Sequence, residues 1–362
     1  MTFEKATPAW TIPWEDGAVT AVTFLGSARK LAAGNQLGQI LVFDLAEAAG
    51  GPAPVPVRLL DGHTNEVTAL APVAGGARLA SSSYDHTIRW WDLAAPGEGK
   101  ASVVLDKRAR EAAAKKSGKP VDTAGVPLEV QKTARATDAH QEWVRSISIG
   151  TEGRQLLSGD DKGVAILWNA AEGTEVRRFQ APGWLRAVAL SADGRLAATC
   201  EYAPRYATFA NAIKIWDVAA GAVKVDLGKE FKKGDRVTGM SAAAFSPDGK
   251  LLALGQGGEI EGGKGKVTLV EPETGKKIQE LTANEGGISH LAFSPDGKLL
   301  ASAGRDTMVK LWSMPDGKLL QDLGKARGGQ FKDWIHASAF SPDGTRLAAA
   351  DMAGLITVWS LA

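Results

Sequence analysis

The chain lacks a pair of cysteines, a large net charge and a long apolar run, and each absence excludes or disfavours a class of function. Its 362 residues include one cysteine, Cys200, which excludes an internal disulfide and a metal site built from cysteines alone. Lysine and arginine number 42 against 41 aspartate and glutamate, so the net charge of +1 creates no field that would gather nucleic acid. No apolar run reaches the roughly 18 residues that span a bilayer, and the N-terminus lacks a signal-peptide pattern. We therefore expect a cytoplasmic protein without membrane contact, and nucleic acid is not favoured as a partner.

What the chain does have is an internal repeat. Seven β-rich runs each end in an aromatic or apolar residue, usually followed by an acidic or small polar one, and their ends are separated by 48, 77, 48, 54, 42 and 47 residues. A period of this size is typical of a repeat architecture, in which each unit packs only against its neighbours. The seven ends are Phe43-Asp44, Trp91-Asp92, Trp168-Asn169, Trp216-Asp217, Val270-Glu271, Trp312-Ser313 and Trp359-Ser360.

A turn motif of the Phe-Ser-Pro-Asp-Gly type subdivides the repeats. It occurs at 190–196, 245–251, 293–299 and 340–347, with proline in the last three copies. Proline presets the first central angle of a turn and glycine takes a positive φ, so the motif predicts a hairpin between two strands. In the repeat that contains the motif at 293–299, two further strands follow the hairpin, at 308–312 and 318–323. Four antiparallel strands in each period predict the blade of a β-propeller.

Polar residues recur in these units at fixed intervals. His63, Ser81 and Trp91 are separated by 18 and 10 residues, and a second set repeats both intervals. That set is His140, Ser158 and Trp168. In these residues the sequence resembles the WD-repeat β-propeller family over essentially its whole length. The resemblance implies an all-β fold, a seven-bladed β-propeller of four-stranded antiparallel blades.

The resemblance also implies hydrogen-bonded tetrads that tie a loop of each blade to its own strands. The expected structural tetrads are His63, Ser81, Asp85 and Trp91 in blade 2, and His140, Ser158, Asp161 and Trp168 in blade 3. Asp161 follows Ser158 by three residues, whereas Asp85 follows Ser81 by four, so Asp161 departs from the pattern. No Gly-x-Ser-x-Gly elbow exposes a serine and no His-x-x-x-His pair occurs. We expect buried polar networks with no catalytic residue, no metal and no cofactor.

The repeat period makes residues 1–362 a single propeller. Residues 1–14 would be the closing strand of blade 7, because only three residues follow Trp359 and the ring would otherwise keep an open edge. Blade 2 carries a predicted insertion between strands c and d at about 94–127, with a basic helix over 107–116 and strand d over 128–133. The predicted blades are 15–60, 61–137, 138–180, 181–229, 230–283, 284–326 and 327–362.

Family resemblance implies that the d–a and b–c loops share one face around the central channel, where such proteins commonly bind peptides or protein loops. Blades 3 and 4 would each place a tryptophan and an arginine there, which is the composition of an interface hot spot. Arginine beside tryptophan favours an acidic or carboxylate-bearing segment. The candidate partner-binding residues are Trp143, Arg145, Trp184, Arg186, Tyr84, Tyr202, Arg205, Tyr206, Trp334 and His336.

The sequence therefore predicts a non-enzymatic protein-interaction scaffold, monomeric on its own, that binds a protein or peptide on this face. Three alternatives stay open. The chain could be the scaffold or regulatory domain of a larger enzyme assembly, or a propeller enzyme with chemistry at the channel mouth. An acidic partner or nucleic acid could also bind the basic helix of the insertion.

Overall fold

Strands dominate a computed structural model of the chain, which describes residues 3–14, 16–45, 51–150, 153–202, 212–228, 230–233, 236–237, 239–256, 264–324 and 334–361. The innermost strands of successive blades contact one another around a closed ring, from blade 1 to blade 7 and back to blade 1. The all-β, seven-bladed β-propeller expected from the repeats is confirmed.

Each blade contains strands a to d, of which strand a lines the channel and strand d lies at the rim. In order from a to d, the bounds are as follows. Blade 1 has Val19–Phe24, Lys30–Asn35, Gln39–Asp44 and Pro56–Asp61; blade 2 has Val67–Val73, Arg78–Ser83, Ile88–Asp92 and Arg135–Thr137; blade 3 has Val144–Ile149, Gln155–Asp160, Val164–Asn169 and Thr174–Gln180; blade 4 has Trp184–Leu190, Leu196–Tyr202, Ala212–Asp217 and Ala222–Asp226; blade 5 has Met240–Phe245, Leu252–Gln256, Lys264–Val270 and Lys277–Glu285; blade 6 has Ile288–Phe293, Leu299–Gly304, Met308–Ser313 and Lys318–Gly324; blade 7 has Ile335–Phe340, Arg346–Asp351, Leu355–Leu361 and, as strand d, Ala6–Pro13. The remaining elements are the strands Gly99–Val103 and Val126–Gln131, the helix α1 (Lys107–Ser117), a 3-10 turn Ala74–Gly76 and the short pair Lys232–Lys233 and Arg236–Val237.

The Ser-Pro-Asp-Gly motif forms the a–b hairpins through local hydrogen bonds. In blade 6 the Ser294 hydroxyl donates to Asp296 Oδ1 (2.7 Å) and accepts the backbone N–H of Leu299 (2.9 Å). Gly297 adopts φ +70°, a left-handed conformation that glycine reaches without a steric penalty. The same pair of side-chain hydrogen bonds occurs at Ser191, Ser246 and Ser341.

The N-terminal strand closes the ring as expected. Ala6–Pro13 pairs antiparallel with strand c of blade 7, and the backbone N–H of Trp14 donates to the carbonyl of Gly354 (2.7 Å). The side chains of Trp10, Ile12 and Trp14 are buried in the core between blades 7 and 1. Closure therefore joins the first and last described strands in one blade and pairs the edge that strand c of blade 7 would otherwise expose.

Strand d of blade 2 lies later in the chain than the sequence suggested. Arg135–Thr137 pairs with Ile88–Trp90 of strand c, so the prediction of strand d at 128–133 is wrong. The insertion therefore runs from 94 to 134 rather than to about 127. Two candidate strands lie in one long connection, and the pairing is decided by distant parts of the chain, which a local pattern does not contain.

The additional strands of the insertion belong to blade 1. Val126–Gln131 pairs parallel with strand d of that blade, and Gly99–Val103 pairs antiparallel with Val126–Gln131 on its outer side. Blade 1 thus has six strands. The basic helix expected over 107–116 is present as α1, which ends at Gly118 in a left-handed conformation.

The two added strands, here called the insertion hairpin, pack against the closing strand. Leu128 and Val130 are buried in the same apolar cluster as Trp10 and Trp14. The backbone N–H of Asp106 donates to the carbonyl of Pro13. Lys107 forms an ion pair with Asp16 in the loop that joins the closing strand to blade 1. The hairpin therefore covers the seam at which the ring closes.

Candidate functional site

All seven strands a carry a β-bulge at the same position near the channel mouth. The ladder with strand b skips one residue in each case, which re-aims that side chain. The seven bulge residues all line a cavity of about 800 Å³ along the channel. This bulge ring consists of Thr20, Thr68, Arg145, Arg186, Ser241, Ser289 and His336.

Four members of the bulge ring join neighbouring blades. The hydroxyl of Thr20 donates to the carbonyl of Val67 (2.6 Å), and that of Thr68 donates to the carbonyl of Val144 (2.6 Å). Ser241 and Ser289 donate to the first residue of the next strand a in the same way. The other three positions hold Arg145, Arg186 and His336. Blades 3, 4 and 7 therefore present a larger, basic type of side chain where the others use a short hydroxyl.

Arg145 is braced by protein groups on all three of its nitrogens. Nε and Nη2 donate to the two carboxylate oxygens of Asp161 (2.6 and 2.7 Å), and Nη1 donates to the hydroxyl of Tyr84 (2.6 Å). Burial opposes the charge and is the largest single influence, but the hydrogen bond to Asp161 and the electrostatic attraction of Tyr84, Asp161 and Glu66 together raise the pKa of Arg145. Only 14% of its side chain is exposed. The sequence placed Arg145 at the surface as a free contact, and the structure instead gives it a fixed internal partner.

Tyr84, whose hydroxyl accepts the hydrogen bond from Arg145, also stacks its ring on Trp143. Their centroids lie 4.9 Å apart with an interplanar angle of 28°. The guanidinium carbon of Arg145 lies 5.1 Å from the Tyr84 centroid and 5.4 Å from that of Trp143. Trp143 is nevertheless 43% exposed. A large aromatic ring is thus held rigidly with nearly half of its surface in solvent.

Blade 4 repeats the arrangement with one difference. Arg186 lies over Tyr202 at 4.5 Å, and Tyr202 packs on Trp184 with centroids 6.1 Å apart. Among the described residues, no carboxylate lies within ion-pair distance of Arg186 and no group accepts a hydrogen bond from it. Burial, and then repulsion by Arg145, lower the pKa of Arg186. Asp161 attracts Arg186 from beyond ion-pair distance, and no described carboxylate pairs with Arg186 directly.

The tetrad of blade 2 has the expected geometry. His63 Nδ1 lies 2.8 Å from Asp85 Oδ2, and His63 Nε2 lies 2.7 Å from Ser81 Oγ. The indole N–H of Trp91 donates to the same Ser81 oxygen (2.9 Å). Because Ser81 Oγ already accepts from the indole, its own proton serves the neutral Nε2 of His63, whose pKa is lowered by burial.

In blade 3 the acid of the tetrad is Asp160, and the assignment of Asp161 is wrong. Asp160 Oδ2 lies 2.7 Å from His140 Nδ1, while Ser158 Oγ lies 2.7 Å from His140 Nε2 and accepts from Trp168 (2.8 Å). Asp160 is the last residue of strand b and fully buried. Consecutive residues of an extended chain point to opposite sides, so Asp161 reaches the mouth and Arg145 instead.

These Ser–His–Asp sets resemble hydrolase triads in connectivity, but no substrate can reach them. Ser81 and Ser158 are both 0% exposed. Blade 6 contains the same network with Asn284 in the histidine position, where Asn284 Oδ1 accepts from Ser302 and Asn284 Nδ2 donates to Asp306. An amide cannot act as a general base, so this network serves structure in blade 6.

The remaining predicted residues lie apart from blades 3 and 4. On blade 7, Trp334 packs under the guanidinium of Arg305 at 4.2 Å, and His336 lines the cavity with a pKa lowered by burial and then by Arg305. Arg205 and Tyr206 lie outside the described residues. Asp161 is a functional residue that the sequence pattern did not reveal as the partner of Arg145, although its place in the b–c loop of the same blade is a signal for it.

No group of three or more histidine, cysteine, aspartate or glutamate side chains within the described ranges could hold a metal ion. In the same ranges no helix is long and apolar enough to cross a membrane.

Four segments of the chain match the WD40 family, described as WD domain, G-beta repeat: residues 54–92, 131–169, 275–313 and 324–360. The chain is similar to the target of rapamycin complex subunit wat1 of Schizosaccharomyces pombe, with 29% identity over 40% of this chain and 51% of that protein. It is 28% identical to the small ribosomal subunit protein RACK1y of Oryza sativa, over 73% of this chain and 70% of that one. It is 24% identical to the guanine nucleotide-binding protein subunit beta of Arabidopsis thaliana, over 66% of each. The alignments thus span about half of the first relative's length and about two thirds of the lengths of the other two.

Proposed function

Because this chain is a WD-repeat β-propeller, we propose that it is a non-enzymatic scaffold that binds a protein or peptide segment on the face that carries the bulge ring. The observation that supports this most is the Trp–Arg cluster of blades 2 to 4. The cluster consists of Tyr84, Trp143, Arg145, Asp161, Trp184, Arg186 and Tyr202.

The composition and rigidity of the Trp–Arg cluster suit a binding hot spot. Tryptophan, tyrosine and arginine are the residue types that carry most interface energy. Trp143 is held by Tyr84, which is held in turn by Arg145. A side chain fixed before binding loses little conformational entropy when it meets its partner, so exposed area there contributes more to affinity. We infer that Trp143 is the apolar anchor of the site.

The charge of the cluster favours an acidic segment. Asp161 neutralises Arg145 in a two-point ion pair, so the cation that remains for an incoming group is Arg186. Burial strengthens the attraction of Arg186 for a carboxylate, because water screens it less than at an open surface. We therefore propose a protein or peptide partner with at least one carboxylate that reaches the mouth.

The names of the relatives support a place in a larger assembly. They describe a complex subunit, a ribosomal subunit protein and a guanine nucleotide-binding protein subunit. The proposal for this chain is correspondingly a cytoplasmic scaffold, monomeric until it joins its partner, and without catalysis of its own. The serines of both tetrads are inaccessible, which supports the absence of hydrolytic chemistry.

The helix α1 is the competing docking site. None of its side chains is buried, and it carries Lys115 and Lys116 in its last turn. Since Lys107 pairs with Asp16 in a d–a loop, α1 begins beside the loop face rather than far from it. An acidic partner could therefore meet α1 by charge alone, without the aromatic anchor of blades 2 to 4.

Site-specific photo-crosslinking of the full chain in its own cells distinguishes the two sites. A photoreactive phenylalanine replaces Trp143 in one variant, Lys115 in a second and Val176 in a third. Val176 is the matched control, because it is 55% exposed but lies on the outer strand of blade 3. The proposal expects one protein adduct from position 143 and none from position 176. Adducts from position 115 alone would move the site to α1, and equal adducts at all three positions would overturn a localised site.

A further inference from the structure

We propose that the channel mouth contains a carboxylate-binding seat formed by the guanidinium of Arg186 and the hydroxyl of Tyr84. The proposal rests on the proposed function and specifies the chemical group of the bound segment that enters the channel. It also separates the roles of two arginines that the sequence treated alike. Arg186 contacts the ligand, and Arg145 is a positioning residue.

The first donor of the seat is Arg186. Its guanidinium carbon lies over the Tyr202 ring, 4.5 Å from the centroid, and the side chain lines the channel cavity. None of its N–H groups has an acceptor among the described residues. A planar guanidinium stacked on a ring offers its edge to a ligand, and that edge matches the two oxygens of a carboxylate.

The second donor is the hydroxyl of Tyr84. Its oxygen accepts the Nη1–H of Arg145, so its own proton points elsewhere, and no described residue accepts it. Burial raises the pKa of Tyr84, which keeps the phenol protonated and able to donate. The positive charge of Arg145 polarises this O–H and strengthens its donation. Tyr84 and Arg186 line the same cavity and interact electrostatically.

The acids around the seat favour a single negative charge over a double one. Asp161 uses both oxygens on Arg145. Glu66 lines the same cavity, and burial raises its pKa, with Arg145 opposing that rise. A phosphate dianion would meet the repulsion of both acids at full strength, whereas a carboxylate meets half of it. The neighbourhood therefore suits a carboxylate, and Glu66 weakens the seat when it is ionised.

The test uses three small probes on the full chain: N-acetylglycine, its uncharged amide N-acetylglycinamide, and inorganic phosphate. The readout is the Nε–Hε NMR signal of Arg186, assigned through Arg186→Gln. We expect N-acetylglycine to shift this signal saturably, the amide to leave it in place, and phosphate to bind more weakly than the carboxylate. Tyr84→Phe should weaken the binding of N-acetylglycine by about tenfold or more, which is the loss of one hydrogen bond to a charged acceptor. Glu66→Gln should tighten it.

Each other outcome overturns the seat. An unmoved Arg186 signal, an equal response to the amide, or tighter binding of phosphate contradicts a carboxylate site at this position. An unchanged affinity in Tyr84→Phe, with its melting temperature unaltered, removes Tyr84 from the seat. Failure of the seat is separable from failure of the proposed function. Crosslinking from position 143 without a probe response would keep the scaffold and reject the seat. A probe response without crosslinking would keep carboxylate binding at Arg186 and reject the scaffold site.

Discussion

Asp161 holds Arg145 by two hydrogen bonds, Oδ1 to Nε at 2.6 Å and Oδ2 to Nη2 at 2.7 Å. The pair connects the b–c loop of blade 3 to the bulge in its own strand a, and Nη1 extends the connection to Tyr84 of blade 2. A residue at a contact position of the channel mouth thereby joins two blades. Its neighbour in the bulge ring, Arg186, forms no such pair with any residue that the structure describes.

This difference predicts that removing the Arg145 side chain destabilises the fold more than removing the Arg186 side chain. Arg145→Ala should reduce the free energy of unfolding by about 2 kcal/mol, because Asp161 and Tyr84 lose charge-assisted hydrogen bonds in a poorly exposed site. Arg186→Ala should change stability by less than about 0.5 kcal/mol. Urea denaturation of both variants measures this. Equal losses of stability in the two variants would mean that the hydrogen bonds of Arg145 to Asp161 and Tyr84 do not stabilise the fold.

The histidine tetrads should matter for folding and not for chemistry. His140→Ala should cost about 1–3 kcal/mol, since Asp160 Oδ2 and Ser158 Oγ each lose their hydrogen bond to the imidazole in a buried site. His140→Asn is the matched control, because blade 6 uses Asn284 at the same place. We expect the asparagine variant to recover part of the loss in thermal melting. A fully stable His140→Ala protein that loses partner binding would contradict a structural role.

Ring closure should depend on the insertion hairpin as well as on the N-terminal strand. Deletion of residues 1–13 should lower the melting temperature sharply and promote aggregation, because strand c of blade 7 becomes an open edge. Leu128→Asp should weaken the closing strand from outside, since Leu128 packs in the same cluster as Trp10. Hydrogen exchange reads this directly: amides of 6–13 should exchange faster in Leu128→Asp, while those of blade 4 keep their protection. Uniform acceleration in both regions would argue for global unfolding instead.

His290 predicts a loss of stability in mild acid. It lines the channel between blades 6 and 7, where Ser338 donates its backbone N–H to Nδ1, and burial lowers its pKa to about 4. Below the unfolded value near 6.5 the unfolded chain takes a proton that the folded chain refuses, so stability falls as the pH drops from about 6.5 to about 4. Roughly 3 kcal/mol should be lost across this window. His290→Asn, which keeps an acceptor but does not titrate, should show a shallower acid slope in denaturation curves.

Local patterns predicted the parts of the fold that local chemistry determines. The Ser-Pro-Asp-Gly turns close through hydrogen bonds within five residues, and the spacing of His63, Ser81 and Trp91 follows from one blade's geometry. The choice between Asp160 and Asp161 depends on a single residue at a strand end, where one step reverses the direction of the side chain. Composition alone does not resolve that step.

The pairing of the insertion strands was beyond the reach of sequence patterns, although the number of repeats did predict the pairing of the N-terminal strand with blade 7. The strand Val126–Gln131 pairs with blade 1, although it lies near the end of an insertion that begins in blade 2. Its side chains are buried against Trp10 and Trp14, and that contact forms only when the ring closes. The register did place Arg145 and Arg186 at the channel mouth. The spacing of the repeats could not show that Arg145 is already hydrogen-bonded to Asp161 and Tyr84.

The most direct test of the binding site at Trp143 and Arg186 compares two matched double variants. It measures the affinity of each for the partner that crosslinking recovers. Trp143→Ala with Arg186→Ala removes the exposed anchor and the free cation, and Val176→Ala with Val223→Ala removes exposed apolar area from the outer strands of blades 3 and 4. Isothermal titration should show a loss of about 2–4 kcal/mol for the first pair and almost none for the second. Equal affinities for the two double variants, with both proteins folded, would place the partner elsewhere and contradict the proposed site.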